Sequence, residues 1–111
     1  MSNTILRLSK EVSAGQADHT SFVPPSGKKT IIGLFQGEAP GSNTAVVKLV
    51  WKFDTAEETI LWSIKGSGQT SIPIELPISE VNGTNALAVV LENSGLTAVY
   101  LSGQALVEVD E

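Results

Sequence analysis

Cysteine is absent from the chain, histidine occurs once, and aromatic residues make up only 5% of it. Without cysteine there is no disulfide framework, no thiolate metal site and no cysteine nucleophile, as suits a reducing cytosol. A single histidine, His19, cannot supply the imidazole cluster of a cupin metal centre. Basic residues are also few: seven Lys and Arg stand against twelve Asp and Glu, for a net charge of −5, and they are scattered apart from Lys28–Lys29. Nucleic-acid affinity rests on phosphate contacts, so no nucleic-acid partner is expected. No run approaches the roughly 18 apolar residues a helix needs to cross a bilayer, and MSNTILRLSKEV lacks the basic segment and apolar run of a signal peptide. The expectation is a protein made and folded in a cytoplasm, with no membrane partner.

What is present is alternation. From Ala45 the odd positions Ala45, Val47, Leu49, Trp51 and Phe53 are apolar, while Lys48, Lys52 and Asp54 interrupt the even set. That is the two-residue period of a half-buried strand. Thr59–Lys65 follows after an acidic turn, with Ile60, Trp62 and Ile64 on one face, so 43–68 reads as one hairpin with both tryptophans inward. Further strands are expected over Thr4–Val12, Phe22–Val23, Lys29–Gln36 with a bulge at Gly33, Gln69–Ile78, Asn85–Glu92 and Leu96–Val109. Pro73 and Pro77 cannot donate to a ladder, which places Gln69–Ile78 at a sheet edge. Gly103 is expected to mark a bend where the chain changes sheet. No amphipathic helix is found. A chain of 111 residues is one domain, and short strands between turn signals predict an all-β fold: a single antiparallel β-sandwich, jelly-roll-like, of about eight strands. Residues 1–9 are read as an N-terminal arm, flexible or swapped.

Chemistry is sparse. Asp18, His19 and Thr20 are adjacent, and neighbours on an extended chain point to opposite faces, so contiguity makes no triad. Asp54, Glu57 and Glu58 offer oxygen ligands to calcium in number but not in EF-hand spacing, and read as a solvated turn. Gly27–Thr30 matches the end of a phosphate-binding loop without its first glycine or its helix. Asn82–Thr84 matches a glycosylation sequon that is better read as a turn. No catalytic residue, cofactor or metal is expected. Tyr100 is the candidate platform for a stacked glycan, against interior packing with its hydroxyl at the rim. Ala86–Leu91 is apolar on both faces, and is either central and covered twice or offers a face to a second subunit; the second option is preferred.

The succession VPPSGKKTIIGLFQGEA, TAVVKLVWKFD, ILWSIKGSG, LAVVLEN and a closing YLSG strand resembles small β-sandwich proteins encoded among the structural genes of tailed bacteriophages. The likeness spans 23–103 and rests on turn and core signatures, which specify a fold more than a role. It implies a virion component without catalysis, made in the host cytoplasm: a capsid decoration (cement) protein or a tail- or fibre-associated module. The absence of a histidine cluster, coiled-coil heptad or collagen-like stretch favours decoration over fibre. The implied partners are copies of itself, as a homo-oligomer, and major capsid or tail proteins, with a glycan as the alternative. The expected interface residues are Ile5, Leu6 and Arg7 of the arm, Glu38 and Pro40 of the GEAPGSN loop, and Ala86, Ala88 and Val90. An inert jelly-roll assembly is a third class.

Overall fold

The computed structural model describes residues 2–24, 29–39, 44–65, 69–79 and 85–110. Eight strands run in order: β1 (Ser2–Val12), β2 (Ala17–Phe22), β3 (Lys29–Glu38), β4 (Ala45–Trp51), β5 (Thr59–Lys65), β6 (Gln69–Ser79), β7 (Leu87–Asn93) and β8 (Val99–Asp110). They form two four-stranded sheets of order β1-β8-β3-β6 and β2-β7-β4-β5. All pairings are antiparallel. The outermost partners, first with last and second with seventh, lie in alternate sheets, as if one long hairpin had been rolled up. This is an antiparallel jelly-roll sandwich. Among the described residues no helix is long and apolar enough to cross a membrane.

The period-2 pattern builds the core. The alternating residues 99, 101, 103, 105 and 107 of β8 face Ala45, Val47, Leu49, Leu87, Val89 and Leu91 of the second sheet, joined by Leu6, Ile32 and Phe35. Phe35, Ile32, Leu49, Leu87, Leu91 and Leu101 are fully buried, each stabilising the fold by about 1.5–3 kcal/mol relative to exposure. Asn93 is the buried polar residue among them. Its Nδ2 donates to the Val12 carbonyl at 2.9 Å and the Thr97 carbonyl at 2.8 Å, and its Oδ1 accepts from the Gly95 amide at 2.9 Å. A buried amide with every partner in place fixes one end of the sandwich.

Gly33 marks a bulge as expected: the register of β3 slips between Ile32 and Leu34 against both neighbours. β6 lies at a sheet edge, with Pro73 opposite Leu34 and Pro77 opposite Ile31.

Several expectations are corrected. The second strand is Ala17–Phe22, inside the stretch read as polar: Asp18, Thr20 and Phe22 alternate half-buried with exposed Ala17, His19 and Ser21. Residues 2–9 do not form an arm; they pair with β8 of the same chain from Ser2–Val109 onward. β8 runs through Gly103 without changing sheet, and the missing side chain serves close packing instead. β7 is central, between β2 and β4, and buried on both faces. Trp51 is half-buried against the core, but Trp62, on the edge strand β5, keeps 38% of its surface exposed.

Phe53 also departs from its pattern. Lys52 and Asp54 take left-handed backbone conformations, φ 58° and 62°. They end β4 at Trp51 and turn Phe53 away from the core side. The Phe53 amide donates to the Ala86 carbonyl at 3.0 Å. Its ring covers Val50, Ala88 and Val90 on the outer face of the second sheet and lies 4.5 Å from the His19 ring.

Candidate functional site

The outer face of the first sheet gathers polar and apolar side chains from three strands. Because β1, β8 and β3 are antiparallel and in register, their outward side chains fall into rows across the strands. Ile5, Leu106 and Leu34 make an apolar row; Arg7, Gln104 and Gln36 make the next; Ser9, Ser102 and Glu38 make a third. Tyr100 stands one step further along β8, opposite Glu11.

The middle row is a directed hydrogen-bond chain. Arg7 Nε donates to Gln104 Oε1 at 3.0 Å, and Gln104 Nε2 donates to Gln36 Oε1 at 2.6 Å. The cation at one end orients both amides, since a guanidinium can only donate. In the adjoining row the Ser9 and Ser102 hydroxyls meet at 2.7 Å. A small polar depression of about 70 Å³ lies among Gln36, Gly37, Glu38, Ser102 and Gln104. Glu38 makes no ion pair among the described residues, whereas Lys10, Lys48 and Lys52 are taken by Asp18, Glu92 and Glu57. Ile5 is 56% exposed and Tyr100 57%.

Three expected interface residues, Ile5, Arg7 and Glu38, and the candidate ligand platform Tyr100 therefore come together on one face, although they were read from three separate segments. Others do not join them. Leu6 points the opposite way, into the core, at 5% exposure. Ala88 and Val90 are closed over by Phe53, so they present no face to a second subunit, and Ala86 is half-buried beside them. Pro40 lies outside the described residues, as do Gly27–Lys28 and Asn82–Thr84. Sequence reasoning missed Ser9, Gln36, Ser102, Gln104 and the two leucines. The alternation of YLSGQAL placed three of them, Ser102, Gln104 and Leu106, on one side of a strand with Tyr100, but only the pairing of β8 with β1 and β3 makes a surface of them.

The remaining candidates are committed elsewhere. On β2, Asp18 and His19 leave the strand on opposite faces. Asp18 accepts from Lys10 Nζ and, at 2.9 Å, from the His19 backbone amide; these two bonds hold its carboxyl below the usual carboxylate range. The His19 ring lies against Phe53. In the turn after β4, Glu57 pairs with Lys52 at 3.1 Å and Glu58 accepts from the Asp54 amide at 3.0 Å. No group of three or more metal-ligating side chains stands together among the described residues.

The sheet order defines an eight-stranded jelly roll, with apolar, amide and charged side chains side by side on the outer face of its first sheet. No protein-family model matches the chain, and no curated protein is similar to it in sequence. Among solved structures it is similar to that of Aeromonas hydrophila PliG, a periplasmic lysozyme inhibitor of g-type lysozyme, with TM-score 0.44 and 11% identity over 96% of this chain and 86% of that one. That protein is an inhibitor rather than an enzyme, and no residue role is carried over from it.

Proposed function

We propose that the chain is a non-enzymatic structural protein of a tailed-bacteriophage virion, a capsid decoration protein that binds the assembled shell and stabilises it. The observation that carries this reading is the outer face of the first sheet, where Ile5, Arg7, Glu38 and Tyr100 stand together over strands β1, β8 and β3. It is mixed in character, with apolar, amide and charged groups side by side, as a surface that holds neighbours on a particle needs to be. The resemblance of 23–103 to phage structural proteins supports the same reading, and the jelly roll is an architecture that capsid and lectin domains use. Each copy adds modest contact area across junctions between shell subunits, and many copies act together.

The test is addition of the purified protein to shells of the parent phage assembled without it, followed by sedimentation. Saturable binding at a fixed ratio to the shell protein, with a raised disruption temperature, is expected. Shells that sediment free of it would overturn the decoration reading.

A second reading, carbohydrate binding, is favoured by Tyr100. Its exposed ring lies one step along β8 from Ser102, beside the polar depression that includes Glu38 and Gln104. Aromatic stacking combined with a few polar groups is how such sites hold sugars. Titrating glucose, galactose and N-acetylglucosamine into labelled protein and following the amides of residues 100–104 tests it; unmoved signals remove it.

A further inference from the structure

We propose that the end of this face around Tyr100 receives an arginine of a partner protein, its guanidinium lying on the phenol ring between Glu11 and Glu38. The inference gives a chemistry to the partner that the virion reading calls for, and rests on that reading only in taking the partner to be a shell subunit.

The placement follows from the register. Glu11 of β1 stands directly opposite Tyr100 of β8, and Glu38 of β3 stands opposite Ser102, the next outward residue along β8. Tyr100 therefore has one carboxylate as its direct cross-strand neighbour and the other as its diagonal neighbour, both within reach of long side chains. With strands about 4.8 Å apart and a rise of about 3.4 Å per residue, the two glutamates stand about 12 Å apart at their Cα atoms, on either side of β8. The midpoint between them falls on β8, between Tyr100 and Ser102. A cation placed there meets a carboxylate from each flanking strand and an aromatic ring beside it.

Charge selects the occupant. Glu11, Glu38 and Tyr100 are all exposed, and none of them makes an ion pair among the described residues. The cations of the chain that lie nearest are turned elsewhere: Arg7 Nε donates to Gln104, and Lys10 pairs with Asp18. Lys65 lies on β5, at the edge of the other sheet. Glu108 adds a carboxylate further along the same face, opposite Asn3 and Ile31. The described carboxylates of this face thus outnumber its one guanidinium, which favours a basic partner and disfavours an acidic one.

The ring decides between the two basic side chains. A guanidinium is planar, so it stacks on an aromatic face while its edge N–H groups point outward to carboxylates on both sides. An ammonium over the same ring is a point charge without that two-sided geometry. Exposed cation–π contacts and exposed ion pairs are each weak. One such contact is therefore modest, and it gains strength by repetition around a particle.

The experiment is a titration of the isotope-labelled whole chain with acetylated hexa-arginine amide, and in parallel with hexalysine of the same form, following the backbone amides. Saturable shifts centred on Glu11, Tyr100, Ser102 and Glu38 are expected. Arginine is expected to bind about threefold or more tighter than lysine, and raising the salt from about 20 mM to about 200 mM to weaken binding by a similar factor. Tyr100→Ala, which leaves the net charge unchanged, and Glu38→Gln are each expected to weaken binding by about threefold or more, whereas Tyr100→Phe keeps it, because the ring remains. Asp54→Asn removes a carboxylate at the other end of the sandwich, in a left-handed position that asparagine tolerates, and is expected to leave binding unchanged. All these positions are exposed, and far-UV circular dichroism verifies that each variant is folded. Shifts as large over residues 54–58 as around Tyr100, equal affinity for arginine and lysine, or indifference to Tyr100→Ala would overturn the proposal. So would shifts at Tyr100 produced by sugars and not by hexa-arginine. No phage shell enters the titration, so this proposal and the virion reading fail separately.

Discussion

Gly37 and Gly103 face one another across the β3–β8 ladder, and a Cβ on either would collide with the opposite sheet. At Gly103 it would stand 2.7 Å from Val89 Cγ1 and 2.8 Å from Val47 Cγ1. At Gly37 it would stand 2.7 Å from Ile64 Cδ1 and 3.1 Å from Val47 Cγ1. The two glycines form a shallow trough that admits Val47, and the sheets close over it.

Gly103→Ala is expected to lose about 1–3 kcal/mol by overpacking, read from the midpoint of urea unfolding. Gly37→Ala is expected to cost less, because its nearest neighbour is the far end of an isoleucine, which can rotate. Val47→Ala combined with Gly103→Ala is expected to cost less than the sum of the two single changes, since they share the trough.

Asn93 makes a second testable point. Replacing it by Ala leaves the carbonyls of Val12 and Thr97 and the amide of Gly95 without their side-chain partner. A loss of about 2–3 kcal/mol is expected for a buried polar group left unpaired. Asn93→Asp is expected to be worse, because it turns an acceptor toward two carbonyls. Amide hydrogen exchange at Gly95 is expected to rise in both.

Acid stability has a named contributor. Asp18 is held below its ordinary value of 3.8, first by the hydrogen bond from Lys10 and then by that from the His19 amide. A group with a depressed folded-state pKa stabilises the fold fully above its unfolded value, and that stabilisation is lost as pH falls through the folded value. The difference in urea midpoint between wild type and Asp18→Asn is therefore expected to be constant above about pH 5 and to shrink below pH 3.8. A difference that grows on acidification would contradict this assignment.

Phe53 shields the outer cluster of the second sheet. Phe53→Ala is expected to cost about 1–2 kcal/mol, less than a fully buried phenylalanine because the ring is half-exposed. It also uncovers Val50, Ala88 and Val90, and increased binding of a hydrophobic dye is the accompanying readout.

How much of this the sequence reveals follows from the range of each signal. The bulge at Gly33, the edge position of the Pro73 and Pro77 strand, and the alternation along β8 are local, and each is legible in a few residues. Phe53 is not, because the inversion depends on two left-handed residues, Lys52 and Asp54, neither of which is glycine. Trp62 has the alternation of a core residue, but its exposure follows from β5 lying at an edge, which is a matter of topology. The site is scattered in the same way. Arg7 and Gln104, 97 residues apart in the chain, become neighbours only when the last strand pairs with the first. The expectation for Ala88 and Val90 failed for the complementary reason: apolarity on both faces says that a strand is covered twice, and not whether its cover comes from its own loop.

The central claim, the proposal that the protein is a virion component, is tested most directly by quantitative mass spectrometry of particles purified from the source organism or induced from it. A copy number close to that of the major capsid protein is the expected result and marks a decoration protein. Complete absence from the particle would contradict the account.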